Sequence, residues 1–417
     1  MPKVIVAGGG LAGMAAGVAL ASAGYEVDLY ESRPYLGGRA TSYTIPTGDG
    51  GSLTIDNCQH ILLRCCVNLL DFYTRLGVMD QIEFHREFYF VEPGGRTSVF
   101  KAGALPKPLH FTEAFLKMRF LSFSEKAALI RGLLALQREY GRRGDLDRIT
   151  MADWLHEKHQ PPRVVDRFWR QVLVSAINEE LDRMAARWGF QVFWLGFLAK
   201  SDSYHMGVPL RGLGPLYDLG SRVRVHLRSP VREITSAGIR LESSAATGDY
   251  YVNALPFDSR AIAASPITGV HLWFDRKVTA LPHATLLERT IQWMFNKDSG
   301  QYLQLLVSAS RSTMPMERQA VVDLMVRELG EYFPEVRTAK LVRSHVVKEV
   351  RATFSAIPGL QRLSSETTEP NVFRASDAVA TGWPSTMEGA VRSGYLAAEA
   401  ITKRAGSPVR FVVPDIA

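Results

Sequence analysis

The chain has 417 residues, 46% of them hydrophobic, and a formal net charge of +7, which predicts a globular protein of about two or three domains. Three cysteines, two of them adjacent, exclude a disulfide scaffold and fit a reducing cytoplasm. The apolar runs are too short to span a bilayer, no nucleic-acid motif accompanies the basic charge, and His156 and His159 lack cysteines or a supporting pattern of acids, so we expect neither nucleic acid nor metal.

The first forty residues predict a strand, a glycine turn, a helix and a second strand that ends in an acid. Gly8, Gly10 and Gly13 match G-x-G-x-x-G, which permits a tight turn, close approach of a pyrophosphate and packing of the helix on the strand. The helix over 11–23 contains Ala12 in its first turn and directs free N–H groups at phosphates. Glu31 ends the second strand, where a carboxylate accepts hydrogen bonds from ribose hydroxyls and disfavours NADP.

Two alternatives apply to this stretch. One is an ordinary glycine-rich turn, and the other is a secretory signal that ends at Ala21-Ser22-Ala23. A single early lysine and the glycines that interrupt the apolar run disfavour the signal.

The segment after Glu31 favours FAD over NAD. It reads Arg33-Pro34-Tyr35-Leu36-Gly37-Gly38-Arg39, and the planar guanidinium of Arg39 suits phosphate oxygens. This extension resembles FAD oxidoreductases of the amine oxidase and phytoene desaturase type, and the resemblance makes Arg33, Gly38 and Arg39 expected FAD contacts. The alternative is a surface turn with a solvated arginine.

The middle of the chain predicts a polar cluster followed by a helical region. The cluster, Ile55-Asp56-Asn57-Cys58-Gln59-His60, precedes a helix over 61–76 that stops at Gly77. Strands over 87–93 and 96–100 flank a Gly-Gly turn. From 101 to about 201 the chain reads as mainly helical. Leucines, aromatics and lysines over 109–136 suit either a lipid interface or an inward-facing core.

Aromatic residues between Trp154 and Phe197 can wall an apolar cavity or fill a core. The basic residues that concentrate over 138–170 favour an anionic membrane surface as partner, and a solvated basic surface is the alternative.

The last half returns to strands, over 223–227, 231–234, 239–242 and 250–255. In flavin oxidoreductases a returning segment such as Ser229-Pro230-Val231 places its aliphatic residue against the adenine. Strands and one helix near 317–329 predict a second, substrate-facing sheet over 268–348. A further strand over 371–377 ends at Asp377, which can hold ribityl hydroxyls. The helix that follows, near Met387, can place N–H groups under the flavin pyrimidine edge.

The segment Thr381-Gly382-Trp383-Pro384-Ser385-Thr386-Met387-Glu388-Gly389-Ala390-Val391, with the N-terminal glycines and the Asp56 cluster, closely resembles hydroxysqualene dehydroxylases, the squalene-associated FAD-dependent desaturases. Two positions depart from that pattern, which expects glycine where Cys58 and Ser376 stand. Ser376 puts FAD affinity in question, and Cys58 is either a reactive thiol or a packed small residue.

The resemblance implies an α/β fold with a discontinuous Rossmann-like FAD-binding domain of the glutathione reductase type. We expect this domain to comprise 1–60, 215–265 and 345–417. The expected substrate domain, a mixed sheet, comprises 61–100 and 266–344, and 101–214 forms a helical insertion that faces substrate or membrane.

The implied reaction is the reductive dehydroxylation of hydroxysqualene to squalene, in which FADH2 is consumed and an unidentified electron donor must then reduce FAD again. The protein would then lie on the inner face of the cytoplasmic membrane. Asp56 and His60 are the candidate proton donors, with Glu388 as a third, although each can instead organise its own loop or helix. The alternatives are a carotenoid or phytoene-type desaturase, an amine oxidase, and a non-catalytic isoprenoid carrier.

Overall fold

The computed structural model describes residues 1–48, 50–107, 109–256 and 262–416. Within these ranges no helix combines the length and apolar character needed to cross a bilayer. The strands are β1 (Lys3–Ala7), β2 (Glu26–Tyr30), β3 (Ser42–Pro46), β4 (Ser52–Asp56), β5 (Leu62–Leu63), β6 (Ile82–His85), β7 (Phe88–Val91), β8 (Thr97–Phe100), β9 (Met206–Pro209), β10 (Arg224–His226), β11 (Glu233–Thr235), β12 (Gly238–Arg240), β13 (Ala245–Ala246), β14 (Tyr250–Asn253), β15 (Ala264–Phe274), β16 (His283–Leu286), β17 (Trp293–Asp298), β18 (Tyr302–Ser308), β19 (Leu341–Phe354) and β20 (Val372–Arg374). The α-helices are α1 (Leu11–Ser22), α2 (Val67–Leu76), α3 (Thr112–Lys117), α4 (Phe123–Glu139), α5 (Met151–Glu157), α6 (Pro162–Val164), α7 (Gln171–Ile177), α8 (Ala186–Phe193), α9 (Arg318–Tyr332) and α10 (Met387–Arg404).

A five-stranded parallel sheet in the order β10-β2-β1-β14-β20 gathers strands from three separated stretches of the chain. Val4, Ile5 and Val6 of β1 are fully buried, as expected for a parallel strand covered on both faces. Helix α10 packs closely on α1 at Gly394, where an added Cβ would lie only 2.2 Å from the Ala12 carbonyl oxygen. This is the predicted α/β fold.

A seven-stranded sheet in the order β19-β15-β18-β17-β16-β7-β8 forms the second large layer. Its neighbours are antiparallel except β16 and β7, so the hairpin of β7 and β8 joins strands that lie far along the chain. Helix α9 covers one face through Val321, Met325 and Leu329. The opposite face, which includes Phe90 and Phe295, shares a hydrophobic core with the helical region.

Two predicted boundaries are displaced. Strand β19 runs without a break from Leu341 to Phe354, which pairs with Ala264 of β15, so a single strand crosses the boundary expected at 345. The helix expected over 61–76 begins only at Val67, because Leu62–Leu63 pair with β9 instead. That helix ends, as predicted, at Gly77, whose φ of 75° is left-handed.

The helical region is built around aromatic side chains. Trp154, Trp169, Phe190 and Phe193 are essentially inaccessible and belong to one core with the inner face of the large sheet. These aromatics therefore fill a core. Asn178, in a left-handed conformation, ties the region to the sheet: its amide donates to Thr353 Oγ1 at 2.9 Å and accepts from the Ala309 N–H at 2.6 Å.

Candidate functional site

The glycine turn between β1 and α1 is shaped by close contacts at two glycines and by open space at a third. A Cβ at Gly8 would lie 2.5 Å from the Ala254 carbonyl oxygen, and one at Gly13 only 2.0 Å from the Gly8 carbonyl oxygen. A Cβ at Gly10 would meet nothing nearer than Gly38 Cα at 4.0 Å. Gly10 therefore leaves free the space in front of the α1 N-terminus and Ala12, where a pyrophosphate is expected.

Glu31 organises the backbone around this turn. Its carboxylate accepts the Gly9 N–H at 2.7 Å and the Arg33 N–H at 2.8 Å, and the side chain is buried. The exposed Arg33 donates to the Gly38 carbonyl oxygen at 3.0 Å. These contacts hold the second glycine pair against the first turn, and the contact of Glu31 with a ribose stays a prediction.

Val231 lies where the chain returns beside the end of β2. The Ser229 N–H donates to the Glu31 carbonyl oxygen at 2.8 Å, and the Glu31 N–H donates to the His226 carbonyl oxygen at 2.9 Å. Val231 is half-buried against the cluster that contains Tyr30, two residues before β11 begins. The predicted adenine contact is thus beside the predicted ribose contact.

Arg39 and Asp377, expected at different parts of the cofactor, contact each other directly. Arg39 Nη2 lies 2.7 Å from Asp377 Oδ1, and its Nη1 donates to the Ala352 carbonyl oxygen at 2.8 Å. The buried Asp377 also accepts a hydrogen bond from the Ser385 hydroxyl. The N-terminal and C-terminal motifs therefore meet in one charged contact.

Arg362 holds the loop that runs from Asp377 to α10, a role that the sequence did not indicate. Its guanidinium donates to the Asp377 carbonyl oxygen at 2.7 Å and to the carbonyl oxygens of Val379 and Trp383. It also lies 4.7 Å from the centre of the Phe354 ring. Burial lowers its pKa to about 10, so the group remains cationic at neutral pH.

Helix α10 begins at Met387 with Thr386 as its N-cap, whose hydroxyl accepts the Gly389 N–H at 3.1 Å. The next residue, Glu388, is not the proton donor proposed from the sequence. Its buried carboxylate accepts from the Leu69 N–H at 2.7 Å, from Asn68 Nδ2 at 2.9 Å and from Arg392 Nε at 2.7 Å. Glu388 therefore caps α2 and pairs with Arg392, although burial raises its pKa.

A buried polar cluster surrounds Asp56 at the end of β4. Asp56 Oδ1 accepts the Ser42 hydroxyl at 2.6 Å and the Leu213 N–H at 3.0 Å, and Oδ2 accepts Lys297 Nζ at 3.2 Å. Lys297 also donates to Gln59 Oε1 at 2.8 Å. Asp56 accepts in each of these hydrogen bonds, and Lys297 is the cation of the cluster. The assignment of the proton donor to Asp56 or His60 stays a prediction, and Lys297 is an additional group beside them that the sequence did not indicate.

Lys297 was missed because Asn296-Lys297-Asp298 reads as a polar strand end. The available signal was the alternation of side chains along β17. Trp293 and Phe295 point to the same face, and Lys297 is the next residue in that alternation.

His60 is held in one tautomer by a hydrogen bond to the backbone. Its Nδ1–H donates to the Cys58 carbonyl oxygen at 2.8 Å, which leaves Nε2 with the lone pair. Desolvation lowers the pKa of His60, so the ring is neutral at pH 7. A neutral imidazole of this tautomer is suited to accept a proton and poorly suited to donate one.

The two departures from the expected glycines are accommodated locally. Cys58 is buried, and a Cβ at Gly269 would lie 3.3 Å from its Sγ. Burial raises the pKa of Cys58 to about 12. Of the two alternatives, a reactive thiol and a packed small residue, the structure therefore favours the packed residue. The Ser376 hydroxyl accepts the Ala378 N–H at 3.2 Å within its own turn.

Comparison with known proteins agrees with this arrangement. The family model described as flavin containing amine oxidoreductase matches residues 11–402. The 15-cis-phytoene desaturase of Synechococcus elongatus is 24% identical over 460 residues, which cover 96% of each chain. The zeta-carotene desaturase of Synechocystis is 25% identical over 482 residues, covering 96% of this chain and 97% of that protein.

Solved structures share the fold. An oxidoreductase from Methanosarcina mazei superposes with a TM-score of 0.69 at 16% identity and covers 94% of this chain and 98% of its own. A triple mutant of putrescine oxidase superposes with a TM-score of 0.71 at 17% identity, covering 97% and 99%. At these identities the likeness establishes the architecture and not the substrate.

Proposed function

The chain belongs to the flavin containing amine oxidoreductase family, and from this premise we propose that it transfers hydride between FAD and an allylic carbon of a long apolar isoprenoid. The chain is an FAD-dependent oxidoreductase, and the substrate class is the step we propose. The full-length similarity to phytoene and zeta-carotene desaturases is the observation that carries it.

The residues present fit FAD. The open face of Gly10 accommodates a pyrophosphate at the α1 N-terminus, with Arg39 at its side. Glu31 would hold the ribose and Val231 the adenine. Asp377 would hold the ribityl chain, and the N–H of Met387 would meet the pyrimidine edge, where charge accumulates on reduction. When bound, FAD supplies a hydride acceptor or donor at N5.

Desaturation of a polyene is the direction that the relatives favour. The substrate loses a hydride to oxidised FAD and a proton from the neighbouring carbon, and an electron acceptor must then reoxidise the cofactor. His60 supplies what this direction needs from the protein, because its neutral ring leaves Nε2 free to accept a proton.

Reductive dehydroxylation of hydroxysqualene is the second candidate. Here the allylic carbon would gain a hydride, which FAD would supply when bound in its reduced form, while the departing hydroxyl would take a proton and leave as water. The Lys297 ammonium favours this candidate, because it is a proton carrier inside the Asp56 cluster, the segment that resembles hydroxysqualene dehydroxylases.

One anaerobic experiment tests both directions. The dithionite-reduced protein is mixed with hydroxysqualene and the oxidised protein with phytoene, while flavin absorbance is followed and the lipids are extracted. Bleaching with a more unsaturated product supports desaturation, and reoxidation with squalene supports dehydroxylation. Putrescine serves as a third substrate. Turnover of putrescine alone, or of nothing, would reject the isoprenoid proposal.

A further inference from the structure

The helical region carries an apolar stripe that the rest of the described chain leaves uncovered. We define the apolar stripe as Leu109, Leu116, Phe123, Ile130 and Leu134. Phe123 is 83% exposed, Leu116 64% and Leu109 57%. Isolated exposed apolar residues are ordinary on protein surfaces, but a grouped set marks an interaction site.

The stripe follows helical spacing on α4, which is apolar on two sides. Phe123, Ile130 and Leu134 occupy the exposed side, while Leu129 and Leu136 are buried on the opposite side. The inner side alone is sufficient to attach α4 to the core. The outer side therefore requires a separate explanation.

A hydrogen bond joins α3 and α4 into one surface. Lys126 Nζ donates to the Leu116 carbonyl oxygen at 2.8 Å and lies 5.4 Å from the centre of the Phe123 ring. Leu116 and Phe123 are therefore neighbours across the two helices. Leu109 lies on a 3-10 turn, Leu109–Phe111, that directly precedes α3.

The surroundings of the stripe are positively charged. Residues 105–138 contain six lysines and arginines and two acids. One acid, Glu113, is paired with Lys117 at 2.6 Å. Arg119 and Arg131 are exposed beside the stripe. Apolar side chains rimmed by cations complement an acyl layer covered by anionic headgroups.

We propose that the apolar stripe docks on a bilayer with anionic headgroups. The stripe enters the outer acyl region, and Arg119 and Arg131 contact lipid phosphates. The docking itself requires no substrate.

Vesicle flotation of the FAD-loaded full chain tests the docking. Vesicles of phosphatidylcholine are compared with vesicles that also contain phosphatidylglycerol. We expect binding to the mixed vesicles that weakens as salt is raised. The double variant Leu116→Glu/Phe123→Glu should lower binding at least about tenfold, because two apolar contacts are replaced by charges that anionic lipid repels.

The matched control is Val342→Glu/Val350→Glu, which places the same charges on β19 at side chains that are 62% and 63% exposed. This variant should bind like the wild type. Equal losses in both variants, or no loss in either, would overturn the proposal. A wild type that does not float but is dimeric, and becomes monomeric in the stripe variant, would also overturn it by assigning the stripe to a second copy.

A second variant separates charge from apolar burial. Arg119→Gln/Arg131→Gln should lower binding about fivefold per charge at low salt and flatten the salt dependence. An unchanged salt dependence would reject the charge rim. Because vesicles without substrate are used, failure of isoprenoid turnover leaves these results unaffected.

Discussion

Lys297 and Asp56 form a partly buried ion pair, with Nζ 3.2 Å from Oδ2, that joins the seven-stranded sheet to the end of β4. Their side chains come from strands 241 positions apart in the chain. The pair places the Lys297 ammonium next to the Asp56 cluster that the sequence indicated. It therefore ties the seven-stranded sheet to the Asp56 cluster.

We expect Lys297→Met to lower the single-turnover rate of flavin oxidation or reduction at least tenfold, because it removes the proton carrier of the cluster. It should also lower the free energy of unfolding by about 2 kcal/mol, since Asp56 stays buried without its cation. Asp56→Asn/Lys297→Met should regain part of that stability. Lys340→Met, at an exposed lysine, is the control; equal rates in both variants would contradict the role of Lys297.

The glycine turn offers a prediction in which two similar substitutions differ in outcome. Gly10→Ala should leave the melting temperature of the FAD-free protein unchanged, because its Cβ has open space, and should weaken FAD binding at least about tenfold by occupying the pyrophosphate position. Gly13→Ala should lower the free energy of unfolding by about 3 kcal/mol, because its Cβ would lie 2.0 Å from the Gly8 carbonyl oxygen. Flavin fluorescence titration and thermal unfolding of both variants check this; destabilisation by Gly10→Ala would show that the turn has no open face.

What the sequence could predict depended on locality. The glycine turn, the strand before Glu31 and the α2 stop at Gly77 are encoded within a few residues; the structure reproduces them, with β2 ending one residue early at Tyr30. Lys297 and Arg362 act on partners far along the chain, so nothing near them in sequence identifies those partners. Glu388 illustrates the same dependence on distant residues. Its position at the start of a helix fits a catalytic acid, and only the structure shows that α2 lies against it.

Stability should fall as the pH drops below about 6.5, the ordinary pKa of histidine. His271 is buried with its Nδ1 2.7 Å from the Tyr302 hydroxyl, and burial lowers its pKa to about 3. The folded chain holds the neutral ring while the unfolded chain binds the proton. The stability contributed by this group is therefore present above pH 6.5 and is lost between 6.5 and 3.

Urea unfolding at pH 7.5 and pH 5 measures this effect. At pH 5, which is about one and a half units below the pKa of histidine in the unfolded chain, His271 should account for about 2 kcal/mol of the decrease in the free energy of unfolding. His271→Asn should remove that share while the decrease due to other groups remains. An identical decrease in the wild type and the variant would show that His271 is protonated in the folded state.

Arg362 should set the affinity for FAD without contributing a side-chain contact to it. Arg362→Met removes donors to the carbonyl oxygens of Asp377, Val379 and Trp383, so the spacing between Asp377 and the start of α10 is no longer fixed. We expect the dissociation constant of FAD to rise about tenfold to a hundredfold, the effect of losing one to two charged hydrogen bonds. Arg362→Lys should recover only part of the FAD affinity, since an ammonium lacks the planar fork that reaches several carbonyls.

Arg374→Met is the control, because Arg374 donates from an exposed position to the Ser364 carbonyl oxygen, outside this loop. Equal FAD affinity in the Arg362→Met and Arg374→Met proteins, measured by fluorescence titration, would mean that the loop holds its shape without Arg362.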